Sequence, residues 1–476
     1  MTRPDFMALG PLIILTLTAA IIMLQIAVRR HHGVTLAISL IGLATAFLSL
    51  PVAGKWSTGP VTGLLTVDSY ALFYTGLILM AVAATVLLGY GYLERLGGHC
   101  EEFYLLLILA AVGAVVLVMS RHFASFFIGL EILSISLYAL IAYPRQRVQS
   151  MEAGLKYLVL AAASAAFLLF GMALIYVDTG TLDFSRMTAF LPALPIPGAP
   201  LILWAGMGML VVGIGFKLAL VPFHMWTPDV YQGAPAPVTG FVATVSKTAM
   251  VALLVRLFAP VDLLSHPSVF WMFGVVAFAS MVGGNLLALF QNQVKRILAY
   301  SSIAHMGYIL VAFMAGGRIA VQAVTFYITA YTITTLGAFG VIAVLSHKDE
   351  DADRLEDFQS LFFRHPWIGG IFTAMLLSLA GIPLTVGFMG KFFIVAAGLH
   401  SALWWLVITL LITSGVSLFY YLRIVVALFS RPGDRQTASL AEPATGFSGG
   451  LVLAAMTILL IWLGIGPGPL LSLIHF

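Results

Sequence analysis

The stretch Leu201-Ile-Leu-Trp-Ala-Gly-Met-Gly-Met-Leu-Val-Val-Gly-Ile-Gly-Phe-Lys217-Leu-Ala-Leu-Val-Pro222-Phe-His224 decides the fold. From Leu201 to Val221 it is apolar except for Lys217, and it is long enough to cross a bilayer core, which takes about 20 residues. Pro222 lacks an N–H and frees the carbonyl four residues back, at Leu218. A free carbonyl at membrane depth is tolerated only against protein or water. The reading is an interrupted transmembrane helix with a lysine at the interruption. Gly206-x-Gly208 lies inside the apolar run, which argues against a dinucleotide-binding turn.

The rest of the chain repeats the pattern. Of its 476 residues 61% are hydrophobic and 9% charged, and the mean hydropathy is +1.05. A soluble domain carries about 25% charged residues, so these charges cannot cover a water-facing surface. Apolar runs fall at about 6–28, 34–52, 69–92, 103–119, 122–142, 154–177, 201–221, 236–259, 268–290, 297–315, 319–346, 367–398, 402–429 and 448–471. The expected fold is an all-α polytopic membrane protein of about fourteen transmembrane helices, because open strands cannot satisfy their backbone in lipid. The first run has no cleavage site after a short apolar core and reads as a membrane helix, not a signal peptide.

Charge and cysteine usage exclude several classes. The net charge of +4 reflects loop residues, with no Lys/Arg cluster on one face, so no nucleic-acid partner is expected. The single Cys100 excludes an internal disulfide and a cysteine-ligated iron–sulfur cluster. Gly390-Lys391 is followed by Phe within a span and is not a P-loop, and there is no HExxH. No metal and no cofactor are expected in this chain. Energy for transport must therefore come from an ion gradient or a partner subunit.

Loops after odd-numbered spans carry Arg29, Arg30, Arg95, Arg145, Arg147, Lys295, Arg296, Lys348, Arg354, Arg364, Arg431 and Arg435; the other side carries Arg3, Lys55, Arg121, Arg186 and Arg318. This asymmetry makes the odd loops cytoplasmic and places both termini on the periplasmic side of a bacterial inner membrane. Arg256 and Arg423 sit near helix ends, where either can snorkel. The remaining basic residues, Lys156, Lys217, Lys247 and Lys391, all fall within apolar runs, and Glu131 is the one acidic residue deep in a span. Five such groups, charged and unpaired, would cost about 12–18 kcal/mol together. A stable chain pairs them or uses them, and a lysine that alternates between charged and neutral forms carries protons. Lys156 follows Glu152 by four residues, so a snorkelling pair competes with a functional role there. His224 and His305, in polar segments of the helices, suit a hydrogen-bonded relay better than haem ligation.

A second interruption, Gly381-Ile382-Pro383, frees the carbonyl of Leu379 and lies 161 residues after Pro222. This spacing suggests two inverted five-helix repeats with broken helices seven and twelve. The expected organisation is residues 1–102 (helices one to three), 103–260 (first repeat), 261–430 (second repeat) and 431–476 (helix fourteen).

Three motifs resemble the antiporter-like subunits of respiratory complex I: Gly215-Phe-Lys217 through Pro237, Val294-Lys295-Arg296 through Tyr308, and Leu379-Ala-Gly through Lys391-Phe. Two features point to one branch: the chain ends soon after the fourteenth span, without a long lateral helix, and the distal site is Lys391 where a sister subunit has glutamate. The resemblance implies a proton channel of two linked half-channels. Glu131 and Lys217 would couple in the first half, Lys247 would be the central relay, and Lys391 the terminal carrier. His224, Lys156, His305 and Lys295 would support the relay, and the breaks at Pro222 and Pro383 would hydrate it. Partners would be neighbouring antiporter-like and small membrane subunits and the lipid bilayer, with FMN, iron–sulfur clusters and the quinone site in other subunits. The alternatives are a subunit of a multisubunit Na⁺/H⁺ antiporter or membrane-bound hydrogenase, or a non-pumping scaffold.

Overall fold

A computed structural model describes residues 3–56, 59–190, 201–258, 261, 263–348, 350–430 and 447–474. Among the described residues thirteen helices are long and apolar enough to cross a membrane. The remaining expected span, 367–398, is present as two shorter apolar helices, Pro366–Ala380 and Val386–His400. The chain is therefore a multi-pass membrane protein. One detail departs from an all-helical chain: Gly59–Pro60 pairs antiparallel with Thr66–Val67 in a small hairpin between spans. Helix His32–Trp56 has ended before this hairpin and Asp68 caps the next helix, Ser69–Leu96, through the N–H of Ala71. Arg431 and Arg435 lie outside the described residues.

Helices Ala236–Phe258 and Gly317–Leu345 form the centre, buried throughout their apolar windows, and Val294–Ala315 lies beside them. Peripheral helices such as Gly10–Val28 and Val148–Thr179 leave leucine, valine and phenylalanine side chains uncovered. Lipid is as apolar as those side chains, so helix association depends on close packing rather than apolar burial. Gly113 and Gly129 illustrate it. A Cβ on Gly113 would lie 2.5 Å from the Leu133 nitrogen, and one on Gly129 would lie 2.9 Å from the Leu117 nitrogen. Helices Glu101–Met119 and Phe123–Ile141 thus meet backbone to backbone.

Both expected breaks exist, but neither proline ends its helix. The first helix stops at Leu218 because Ala219 turns to φ +61°, and the chain resumes as helix Trp226–Gly233. The second stops at Ala380, where Gly381 has φ +88° and Leu384 φ +72°. Pro222 and Pro383 therefore sit inside the connecting turns. The backbone groups exposed at the first turn find side-chain partners: Trp226 Nε1 donates to the Phe216 carbonyl (2.9 Å) and Val221 N–H to Ser280 Oγ (2.9 Å).

The central helix Ala236–Phe258 contains a wide π-helical turn at Val242–Ser246, immediately before Lys247. Such turns carry an extra residue within the α-helical ladder. Arg256 stands near the end of this helix. It makes a two-pronged pair with Asp68, both distances 2.8 Å. Arg423 donates to the carbonyls of Leu289 and Gln291.

Candidate functional site

Lys217, Lys247 and Lys391 are 4%, 0% and 7% exposed, and each ammonium is met by oxygen atoms. Lys217 closes the last turn before the first break. Its Nζ donates to Ser134 Oγ at 2.7 Å and Tyr157 Oη at 3.2 Å, and lies 5.1 Å from the Tyr157 ring centre. Ser134 comes from helix Phe123–Ile141, three residues after Glu131. Glu131 itself is half-buried and makes no ion pair within 4.0 Å among the described residues. The first-half groups are brought onto facing helices, but hydroxyls, not the carboxylate, hold the ammonium.

Lys247 donates to Ser302 Oγ at 2.6 Å. Ser302 is also bonded to Tyr331 Oη (2.5 Å) and lies 3.4 Å from Tyr231 Oη. One turn on from Ser302, His305 bonds Tyr327 Oη through Nδ1 (2.7 Å) and Tyr421 Oη through Nε2 (3.2 Å). Tyr421 is bonded in turn to Ser301. The His305 ring packs 5.5 Å from both Tyr308 and Tyr331.

Lys391 lies beyond the second break and reaches back across it. Its Nζ donates to the Ala380 carbonyl (2.8 Å) and to Ser414 Oγ (2.8 Å), 5.5 Å from the Tyr308 ring centre. Tyr308 Oη accepts from Asn285 Nδ2, and Asn285 Oδ1 accepts from Tyr420, both at 3.0 Å. Hydroxyls and one imidazole thus occupy the space from Lys247 to Lys391. A hydroxyl can both accept and donate, which is what stepwise proton transfer requires. Between Lys217 and Lys247 the intervening side chains are aromatic. Tyr157 packs on Trp226 (4.9 Å) and Trp226 on Tyr231 (6.3 Å).

The other expected positions lie apart from these lysines. Lys156 pairs with Glu152 (2.8 Å) and Asp229 (2.7 Å), and Asp229 also pairs with Arg296 (2.9 Å). Its side chain is 43% exposed, and the neighbouring Tyr157 is the residue that reaches Lys217. His224 is buried in the first break, and its Nδ1 has no hydrogen-bond partner among the described residues. Lys295 is buried, and its ammonium donates to the carbonyls of Gln232 (2.9 Å) and Ala234 (2.7 Å) and to Asp351 (2.9 Å). All three of its protons are engaged. Sequence reading missed Ser134, Tyr157, Ser302, Tyr331, Asn285 and Ser414. Serines and tyrosines inside apolar runs, three or four residues from an intramembrane charge, were the available signal for some of them, as with Ser134 after Glu131 and Ser302 before His305.

Residues 120–417 match a family described as NADH:quinone oxidoreductase/Mrp antiporter, TM. The chain belongs to this family of membrane subunits. It is 44% identical to NADH-quinone oxidoreductase subunit N of Ectopseudomonas mendocina, over 100% of this chain and 97% of that protein. Among solved structures it resembles a chain of respiratory complex I from Thermus thermophilus, with a TM-score of 0.82, 36% identity, and 97% of this chain and 98% of that one covered. It also resembles a chain of an archaeal membrane-bound sulfane sulfur reductase, with a TM-score of 0.84, 26% identity, and 99% and 96% covered.

Proposed function

We propose that this chain is a proton-translocating membrane subunit of an NADH:quinone oxidoreductase. In this reading it lies in a bacterial inner membrane beside other antiporter-like and small subunits, with its basic loops cytoplasmic and its termini periplasmic. Flavin, iron–sulfur centres and the quinone site belong to partner subunits, and this chain translocates protons without a redox centre. The full-length likeness to a subunit N supports the assignment, and the observation that carries it is the fully buried Lys247 bonded to Ser302 and, through it, to Tyr331.

The residues divide the work. Lys217 gives and receives a proton against Ser134 and Tyr157, and Glu131 on the facing helix sets the field it senses. Lys247 passes a proton to Ser302 as Ser302 gives its own to Tyr331, the shorter of its two hydroxyl contacts, and Tyr331 releases its hydroxyl proton to water in the same step. His305 bridges two tyrosines on the way to Lys391, which the Ala380 carbonyl and Ser414 hold at the second break. The aromatic barrier of Tyr157, Trp226 and Tyr231 keeps the halves separate until water or side-chain movement connects them. A nearby like charge disfavours the charged form, so protonation at one lysine raises the cost of holding a proton at the next.

The test is NADH-driven proton uptake by inverted membrane vesicles containing the assembled complex. Lys247→Ala should lower pumping per NADH with the complex still assembled. Lys247→Arg should lower it too, because a guanidinium does not release its proton. Normal pumping in both variants would remove Lys247 from the path.

A further inference from the structure

Asp351 lies in the loop after helix Gly317–Leu345, and the proton path through Lys217, Lys247 and Lys391 makes no use of it. Its carboxylate is nevertheless among the most heavily bonded groups in the chain. Oδ1 accepts from Tyr92 Oη (2.8 Å) and Arg147 (2.9 Å); Oδ2 accepts from Lys295 Nζ (2.9 Å) and the N–H of Ala236 (2.9 Å). Its side chain is 6% exposed and that of Lys295 is 1% exposed. A carboxylate has about four acceptor sites, and here each is taken. Asp351 is thereby fixed in place and unsuited to carry a proton.

Two of those bonds end at helix starts. Ala236 heads the helix that carries Lys247, and Lys295 stands at the head of Val294–Ala315, which carries Ser302. Two residues further along the loop, Asp353 bonds the same second helix: Oδ1 accepts from the Lys295 N–H (2.9 Å), and its carbonyl accepts from the Val294 N–H (2.6 Å). The first N–H groups of a helix have no partner within it, and an aspartate there satisfies them and complements the helix dipole. Ala236 and Lys295 receive this service from a remote loop rather than from their own flanking residues. The loop is in turn braced, because Arg147 donates to the carbonyls of His347 (2.9 Å) and Lys348 (2.7 Å) and Asp357 Oδ2 accepts from the N–H groups of Asp353 and Arg354 (2.9 Å each).

We infer that Asp351 and Asp353 are positioning residues that set the relative height of two helices, and so the reach of Lys247 to Ser302. Lys247 lies about 16 Å below Ala236 and Ser302 about 10 Å below Lys295 at 1.5 Å per residue. A rigid helix transmits an axial slip at its end to every residue on it. A slip of an ångström changes the length and angle of the 2.6 Å bond between Lys247 and Ser302. This role rests on the reading of Lys247 as a proton carrier.

The experiment measures proton uptake per NADH oxidised, quinone reductase rate and amount of assembled complex in vesicles. Four single variants are compared, Asp351→Asn, Asp353→Ala, Ser302→Ala and Lys247→Ala, together with the double variant Asp351→Asn/Ser302→Ala. Asp353→Ala removes a cap without unpairing a buried cation, and it stands in if Asp351→Asn fails to assemble. The expected result is a fall of about threefold or more in protons per NADH for Asp351→Asn, and a smaller fall for Asp353→Ala, as geometric misplacement produces. The double variant should pump no worse than Ser302→Ala alone, because the bond being positioned is already absent. A general loss of structure lowers assembly and multiplies with Ser302→Ala. That multiplication, or normal pumping per NADH in both aspartate variants while Lys247→Ala is impaired, overturns the inference. Normal pumping in Lys247→Ala overturns the relay reading and this one with it.

Discussion

The ammonium of Lys391 rests 2.8 Å from the carbonyl of Ala380, the last residue of the helix on the other side of the break. The break thus does two things with one backbone group: it ends a helix and supplies an oxygen ligand to the lysine that follows. A Cβ at Gly381 would lie 2.9 Å from Lys391 Cδ and would also have to adopt φ +88°.

Gly381→Ala should therefore push Lys391 off the Ala380 carbonyl. We expect proton pumping to fall about tenfold, since a hydrogen bond to a charged group contributes about 1.5–3 kcal/mol. Quinone reduction by assembled complex should be affected less. Vesicle pumping assays read both, and wild-type coupling in this variant would show that the carbonyl contact is dispensable.

At Lys217 the two hydroxyls are unequal. Ser134→Ala removes the 2.7 Å contact, whereas Tyr157→Phe removes the 3.2 Å contact but leaves the ring beside the ammonium. Ser134→Ala should be the more damaging to pumping. Glu131→Gln and Lys217→Met should each reduce it, with a double variant that loses less than the two losses combined. Independent losses would separate the carboxylate from the lysine.

Lys156→Met should behave differently from Lys217→Met. Its partners Glu152 and Asp229 form an exposed ion cluster, and such pairs contribute about 0–1 kcal/mol. Pumping within about twofold of wild type is expected. A loss as deep as that of Lys217→Met would return Lys156 to the relay.

The Asp351 cluster fixes a pH dependence of stability. Burial would raise its carboxyl, but Lys295 and Arg147 outweigh burial and hold it below the ordinary carboxylate value of 3.8. A lowered folded-state value gives stability that is complete above the unfolded value and lost as pH falls through the folded one. Thermal unfolding of the purified complex should show no contribution from this group between pH 5 and 8, in the sense that the difference between wild type and Asp351→Asn stays constant there. That difference should be about 3–5 kcal/mol, the cost of leaving buried cations unpaired, and should shrink only below about pH 4. A difference that already shrinks between pH 7 and 5 would contradict the paired state.

The spans were legible because a bilayer demands apolar length, and length is read directly from the chain. Boundaries slipped where polar residues occupy helical turns: Val148–Thr179 begins before the apolar run at 154, through Gln149, Ser150 and Glu152. The prolines marked both breaks but not the residues at which the helices stop. The helices end through the left-handed backbone of Ala219 and Gly381, and a positive φ at an alanine has no sequence signal. Lys217, Lys247 and Lys391 were visible as charges with no route to water. Asp351 was invisible because an acidic residue in a polar loop looks ordinary, and its partners Tyr92, Arg147, Ala236 and Lys295 lie far away along the chain.

The wide turn at Val242–Ser246 has a consequence for how Lys247 came to face Ser302. A surplus residue taken up by a wide turn leaves everything after it about 100° behind the phase of an unbroken α-helix. The segment from Lys247 to Phe258 is therefore out of phase with the segment from Ala236 to Phe241, and both still pack within the same bundle. A single deletion within that turn would close it to a regular α-helix with the lysine on the same face, whereas closing the turn with every residue kept would swing the lysine by about 100°. The angular address of the lysine is written in a surplus of backbone.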